Sequence, residues 1–303
     1  MLETLRRYEE QARGVLPPAA LRYFAGGSGE QVTLGEAAAA WRRHRLRPRV
    51  LRDVSTVDTG TEVLGSPVAA PVLVAPTALH GLAHPDGEVE TARGVAAAGG
   101  LLVVSTRASR LLEEIADTCR GPWWFQVYVL RDRGLSAALV ERAAAAGARA
   151  LVLTGDTPYP AGLAGDGDSP GPNPQRLLNL AAHLLPGEER GRGVEQDPAV
   201  GYPAIGELAA ASGLPVLVKG VLRADDARAC LAAGAAGVIV STHGGRQLDR
   251  AVASADALPE VAAAVADDGL VLVDGGVRSG ADILVALALG ARAVLVGRPV
   301  LWG

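Results

Sequence analysis

Aromatic residues are scarce: Phe, Trp and Tyr together make up 4% of the 303-residue chain. A core of this size therefore has to be aliphatic, built from Ala, Val and Leu. Cysteine is nearly absent as well. Cys119 and Cys230 make no disulfide framework and have no zinc-ligand spacing, so they read as two buried or half-buried thiols in a reducing compartment, and no metal site is expected. Long apolar runs are missing too. The longest uncharged stretch, roughly residues 230–242, is broken by glycines and too short to span a bilayer. The amino-terminal MLETLRRYEEQARGVLP is charged and amphipathic, unlike the apolar run of a signal peptide. Nor does one sign of charge dominate: a net charge of −4 and a pI of ≈ 5.8 give no reason to expect nucleic acid or an acidic membrane as partner. A soluble cytoplasmic protein is expected.

What is present is regular. At 49% hydrophobic and 20% charged the composition is globular, and the length suits one large domain or two small ones. Eight short β-rich runs stand at residues 71–77, 101–106, 123–129, 150–157, 215–221, 237–243, 270–276 and 293–299. Each is a near-continuous apolar run, as in parallel strands covered on both faces. Ala- and Leu-rich helical runs fill most gaps, among them GEVETARGVAAAGG, RLLEEIADTCR, GLSAALVERAAAAG, ADDARACLAAG, LPEVAAAVADDG and GADILVALALG. Strand and helix alternating eight times predict an α/β fold, a (β/α)8 TIM barrel, over a single domain of residues 1–303. A doubly wound sheet often carries a Gly-rich turn after its first strand, and PVLVAPTALHG has none.

Two regions depart from the repeat. Residues 1–70 are expected to form an N-terminal extension of helices plus a hairpin, around VDTGTEVLGSPVAAP, that plugs the barrel bottom. Residues 158–202, rich in Gly, Pro and charge, read as an insert on the loop after the fourth strand, where long loops serve as lids or are disordered. The sequence stops at LWG just after the eighth strand, so the final helix is expected to be lacking.

In this fold, chemistry sits at the carboxyl ends of the strands. The run GVIVSTHGGRQLDR raises the question directly: an apolar strand ends in a histidine, two glycines, an arginine and an aspartate. Nearly every other strand also ends in polar groups: Ser105 and Thr106, Gln126 and Tyr128, Thr154 and Asp156, Lys219, Asp274 and Arg278, Gly297 and Arg298. The sixth strand would deliver Ser241, His243 and Arg246 to a shared cavity, with glycines that let a ligand approach the backbone closely. DGGVRSG and GRP follow the last two strands, where such barrels commonly bind phosphate, and a phosphate with an organic body behind it suggests a phosphorylated cofactor.

The sequence resembles the FMN-dependent 2-hydroxy acid oxidases and dehydrogenases, the glycolate oxidase, lactate oxidase and mandelate dehydrogenase family. The resemblance runs through LPPAALRYFAGGSGE, RPRVLRDVS, APTALHGLAHPDGE, WFQVYVLRDR, LTGDTP, LPVLVKGV, STHGGRQLD and DGGVRSGADILVALALGARAVLVGRP. It implies oxidation of an L-2-hydroxy acid to the 2-oxo acid with FMN as cofactor. His243 would be the base that takes a proton from the substrate while hydride or its equivalent reaches flavin N5; an ordinary imidazole pKa of about 6.5 suits that task. Asp156 would hold the imidazole, and Lys219 would place positive charge near flavin N1 and O2. Arg246 would grip the substrate carboxylate with the hydroxyls of Tyr23 and Tyr128. Ser105, Gln126 and Thr154 would bond the flavin edge, with backbone from Pro76, Thr77 and Ala78 behind it, and Ser241 would be a further cofactor-binding residue. Arg278, Gly297 and Arg298 would hold the phosphate and Asp274 the ribityl chain, and Gly275 and Gly276 would also bind the cofactor. Oxygen or a quinone would accept the electrons, and a homo-oligomer such as a tetramer would be expected.

Some positions depart from the pattern. The family usually carries a second carboxylate-binding arginine shortly after the strand-four DTP; the matching position here is Leu163. Arg107 is the candidate substitute, with a solvated loop arginine as the alternative. Thr242 stands where an asparagine is common, and the insert looks shorter than the family's lid. Three functions stay open on this footing. They are hydroxy-acid oxidation, another FMN-barrel reaction on a substrate lacking a simple carboxylate (type-2 isopentenyl diphosphate isomerase-like), and a degenerate non-catalytic paralogue. Lys219 alone could also be a Schiff-base lysine. His84 reads as a structural residue at a helix start, and His44, His80 and His183 as ordinary histidines with no nameable partner. Trp123 and Trp124 read as packing residues, and EERGR as a solvated stretch.

Overall fold

A computed structural model describes residues 2–159, 177–181 and 194–303. Three helices come first: α1 (Leu2–Val15), α2 (Pro18–Ala25) and α3 (Val32–Arg42). An antiparallel hairpin of β1 (Thr61–Val63) and β2 (Ser66–Val68) follows. The strands β3 (Val72–Val74), β4 (Leu101–Ser105), β5 (Trp123–Val127), β6 (Leu151–Thr154), β7 (Val216–Val221), β8 (Gly237–Val240), β9 (Leu270–Val273) and β10 (Ala293–Val296) come next. They close into one parallel barrel in sequence order, with β10 pairing both β9 and β3. The (β/α)8 barrel expected from the alternation is the observed fold.

Between the barrel strands lie α4 (Glu88–Ala97), α5 (Leu112–Thr118), α6 (Arg133–Ala145), α7 (Leu178–Ala181), α8 (Pro203–Ser212), α9 (Ala224–Ala232), α10 (Ser254–Val265) and α11 (Gly280–Ala288). The sequence reading misses α8, whose apolar face is short and which follows the Gly- and Pro-rich insert directly in sequence. It also starts α10 late, at Leu258, because Pro259 looks like a first-turn residue; the helix in fact begins at Ser254 and carries that proline inside. The last residues form a short helix, α12 (Arg298–Trp302), where the sequence reading expects no final helix. Trp302 of α12 packs with Ala12, Ala20 and Phe24, so it closes over the extension.

Side chains alternate across each strand, and the two faces differ. Leu102, Val104, Trp123 and Phe125 point outward into the layer between barrel and helices. Leu73, Leu101, Val103, Trp124, Val152, Leu217, Ile239, Leu272 and Leu295 point inward, and Val63 and Val68 of the hairpin join that inner cluster from below. Both tryptophans are thus packing residues, on opposite faces. Continuing the inner period by one step reaches Ser105 after Val103, Gln126 after Trp124, Thr154 after Val152, Lys219 after Leu217, Ser241 after Ile239 and Asp274 after Leu272. The interior is therefore aliphatic at the bottom and polar at the top.

Candidate active site

A cavity of ≈ 730 Å³ opens at the polar end of the barrel. Its walls include Tyr23, Pro76, Thr77, Ala78, Ser105, Arg107, Gln126, Tyr128, Thr154, Lys219, His243, Arg246, Asp274, Gly275, Gly276, Arg278, Gly297 and Arg298. The remaining two expected residues, Asp156 and Ser241, stand directly behind that wall and hold members of it in place.

His243 stands at the centre. Its Nδ1 donates to Asp156 Oδ1 at 3.0 Å, because a carboxylate can only accept. That fixes the tautomer and leaves the Nε2 lone pair toward the Tyr128 hydroxyl, 3.5 Å away. His243, Gly244 and Gly245 all have left-handed backbone, with φ of 55°, 66° and 70°. A β-substituted residue rarely adopts this conformation, and two consecutive glycines let the chain turn sharply enough to aim the imidazole back over the barrel. Asp156 owes its place to another glycine. A Cβ on Gly220, at φ +105°, would come within 2.4 Å of the Asp156 Cβ.

Burial alone would raise the Asp156 pKa, but His243 and Lys219 outweigh it and hold the carboxyl below the usual range. Burial raises the Tyr128 phenol, although Arg107 opposes the shift. Lys219 is 4% exposed and forms an ion pair with Asp274 Oδ2 at 2.9 Å, while its Nζ donates to Ser241 Oγ at 2.6 Å. Burial disfavours the ammonium, yet Asp274 and Asp156 more than compensate and keep its pKa above the ordinary value. It is a fixed cation, which does not suit the neutral amine of a Schiff-base lysine.

Gln126 is locked in its orientation. Its Oε1 accepts from Ser105 Oγ at 3.0 Å and its Nε2 donates to Thr154 Oγ1 at 2.9 Å, so three adjacent strands present one polar row. On the opposite side Arg246, Arg278 and Arg298 converge without a carboxylate within salt-bridge distance among the described residues. Arg298 donates to the backbone carbonyls of Phe24, Gly26 and Gly244. Burial and repulsion from Arg246 and Arg278 push its pKa down to about 10.

These features fit the FMN that the resemblance implies. A half-buried group of arginines, in which Arg246 and Arg278 oppose the charge of Arg298, calls for an anion such as a phosphate. Asp274 Oδ1 is buried and has no hydrogen-bond partner, as a hydroxyl acceptor beside a sugar-like chain would be. The cavity of ≈ 730 Å³ is lined by both these groups and the Gln126 row.

Two placements correct or extend the sequence reading. His80, thought to lack a partner, is buried in a network: Nε2 is hydrogen-bonded to Thr77 Oγ1, and Nδ1 lies 2.8 Å from Thr91 Oγ1. Its backbone N–H donates to Glu88 Oε1 at 3.0 Å, and Glu88 also accepts from Ser109. Arg22, Thr157, Gln196 and Gln247 line the cavity and escaped the sequence reading, although Gln247 and Thr157 stand inside the quoted STHGGRQLD and LTGDTP blocks. His84 caps the turn before α4, its Nδ1 accepting from the Asp86 N–H, as a structural residue would. Thr242 is buried with an unpartnered hydroxyl. Leu163, His183 and the EERGR run lie outside the described residues.

Comparison with known proteins follows the same line. The family model described as FMN-dependent dehydrogenase matches residues 12–303. An L-lactate oxidase from Nostoc is 44% identical over 314 residues, covering 99% of this chain and 86% of that protein. The human 2-hydroxyacid oxidase 1 is 38% identical, covering 98% and 84%. Among solved structures, a lactate oxidase from Pediococcus acidilactici superposes with a TM-score of 0.92 at 35% identity, covering 98% of this chain and 82% of that one. A mandelate oxidase solved with (S)-4-hydroxymandelic acid gives a TM-score of 0.89 at 41% identity, covering 98% and 86%.

Proposed function

The chain belongs to the FMN-dependent dehydrogenase family and is an FMN-dependent oxidoreductase acting on 2-hydroxy acids, and on that premise we propose how its residues divide the work. The substrate is an L-2-hydroxy acid and the product its 2-oxo acid. FMN, when bound, accepts the two electrons that leave the substrate carbon. His243 Nε2 takes the proton, and Asp156 supports the imidazole as it becomes cationic. Arg246 binds the substrate carboxylate with Tyr23 and Tyr128; its guanidinium already lies 4.9 Å from the Tyr23 ring centroid, held by the carbonyls of Tyr23 and Gly26. Arg107, over the Tyr128 ring, lines the substrate side of the cavity from across the barrel.

Lys219 keeps a permanent positive charge at the cavity floor, tied by Asp274 and by Ser241. Ser105, Gln126 and Thr154, with Pro76, Thr77 and Ala78, form the polar edge that would hold the ring of FMN. Arg278, Arg298, Gly275, Gly276 and Gly297 would surround its phosphate, and the unpartnered Asp274 Oδ1 would accept from its sugar-like chain. The observation that carries this reading is the Asp156–His243–Tyr128 alignment inside a cavity whose far end is lined by arginines. No observation favours the isomerase-like reaction or a degenerate paralogue.

Oxygen is the proposed electron acceptor, since the relatives named above are oxidases. No helix among the described residues is long and apolar enough to cross a membrane, and the two free cysteines support a cytoplasmic setting. A homo-oligomer is supported by the exposed strip Val50, Leu51, Val54 and Val57, which a second copy would cover; light scattering reads it directly. The central test is anaerobic. The purified protein is yellow, an L-2-hydroxy acid bleaches it, and His243→Ala retains FMN while losing the bleaching. A His243→Ala protein that bleaches at the parent rate refutes the assignment of the base.

A further inference from the structure

Resting on that reading of the site, we propose that Arg107 binds a second anionic group at the far end of the substrate, so that the chain acts on 2-hydroxy dicarboxylic acids. Arg107 follows β4 and Arg246 follows β8, and these two strands are four places apart in either direction around the closed barrel. The two guanidinium groups therefore enter the cavity from opposite walls. Each is held to its own wall by a tyrosine: Arg107 lies 4.7 Å from the Tyr128 ring centroid, and Arg246 lies 4.9 Å from that of Tyr23. His243 follows β8 as Arg246 does, and its Nε2 lies 3.5 Å from the hydroxyl of Tyr128, the tyrosine that holds Arg107. A substrate whose C2 faces His243 and whose carboxylate lies against Arg246 extends its remaining atoms toward Arg107.

Charge points the same way. The Arg107 side chain makes no hydrogen bond or ion pair with any described residue, and its backbone is fixed, with the N–H donating to Ser105 Oγ at 3.1 Å and the carbonyl accepting from Leu79. A planar fork stacked on an aromatic face and pointed into a ligand cavity is preorganised for a carboxylate. A monocarboxylate would neutralise one wall and leave the other cation uncompensated. A dicarboxylate neutralises both.

The test is a comparison of near-isosteric pairs on the holoenzyme: L-malate against (S)-2-hydroxybutanoate, and (S)-2-hydroxyglutarate against (S)-2-hydroxypentanoate. In the parent protein kcat/KM favours at least one dicarboxylate over its partner by roughly 10- to 150-fold, the range of a charge-assisted hydrogen bond. Arg107→Met collapses that ratio toward unity and Arg107→Lys restores part of it. Calorimetry supplies a readout apart from turnover: unreactive succinate binds more tightly than butyrate, and Arg107→Met and added salt both erase the difference. A parent protein that prefers the monocarboxylates overturns the proposal. So does an Arg107→Met protein that weakens both members of each pair equally, since Arg107 would then grip the shared carboxylate. If no acid of either kind bleaches the flavin, the reading of the reaction fails, and the succinate titration still decides the role of Arg107.

Discussion

Replacing Asp156 by Asn keeps the side chain's shape and removes its charge. The carboxylate lies 3.0 Å from His243 Nδ1, and both side chains are mostly buried, at 14% and 20% exposed. With charge centres ~4 Å apart and an effective dielectric of about 20, a full imidazolium would gain about 4 kcal/mol from this neighbour. Lys219 draws on the same carboxylate, and the imidazole is only part-charged at the transition state, so about half of that, ~2 kcal/mol, is the lower expectation. At ~1.4 kcal/mol per decade these bounds give a ~30- to ~1,000-fold slower flavin reduction. The asparagine also presents either its oxygen or its amide to Nδ1, and the second choice forces the wrong tautomer, which moves the loss toward the upper bound. Anaerobic stopped-flow reduction, normalised to FMN content, measures the effect. A variant that reduces within threefold of the parent at saturating substrate would falsify the view that Asp156 acts on the reacting imidazole.

Three further outcomes follow from the same geometry. Asp274→Asn leaves the Lys219 ammonium buried without its partner, which costs about 3–5 kcal/mol and lowers the melting temperature of the apoprotein by roughly 5–10 °C; an unchanged melting temperature would show that the pair is not buried as described. Gly220→Ala places a Cβ against Asp156 at a φ of +105°, so it destabilises the protein by about 1–3 kcal/mol and slows flavin reduction as Asp156→Asn does, a joint signature that kinetics and thermal melts read together. His80 is held neutral by burial, which outweighs the Glu88 carboxylate and puts its pKa below the ordinary value. The unfolded chain therefore binds a proton that the native state resists. Stability falls as the pH drops below about 6.5 and on through the lower native pKa, and urea midpoints at about pH 7.5 and 5.5 lose part of that difference in His80→Gln.

The barrel was legible because parallel strands covered on both faces read as plain apolar runs, and all eight were found where β3 to β10 stand. Their ends were less legible. The runs continue through Tyr128, Asp156 and His243, but pairing stops one to three residues earlier, and past the paired residues the chain turns Tyr128 and His243 into the cavity wall with Asp156 behind it. The polar rim followed from residue type alone, whereas its inner stripe needed the two-residue period that uniform hydrophobicity conceals. His80 was passed over because its partners, Thr77, Thr91 and Glu88, come together only when α4 packs beneath the loop after β3. Arg298 shows another limit. A GRP motif suggests a phosphate ligand, yet three of its N–H groups are spent on main-chain carbonyls of the extension and the His243 loop, contacts that no spacing rule encodes.

Those three contacts tie residue 298 to residues 24, 26 and 244, and Trp41 reaches across to the Gly275 carbonyl at 2.7 Å. The mouth is thus sewn from segments that lie far apart along the polypeptide. During synthesis Phe24 leaves the ribosome long before its stitch exists, and no half-made chain can present a finished rim. Uptake of the yellow cofactor therefore marks the moment when the whole circle has closed.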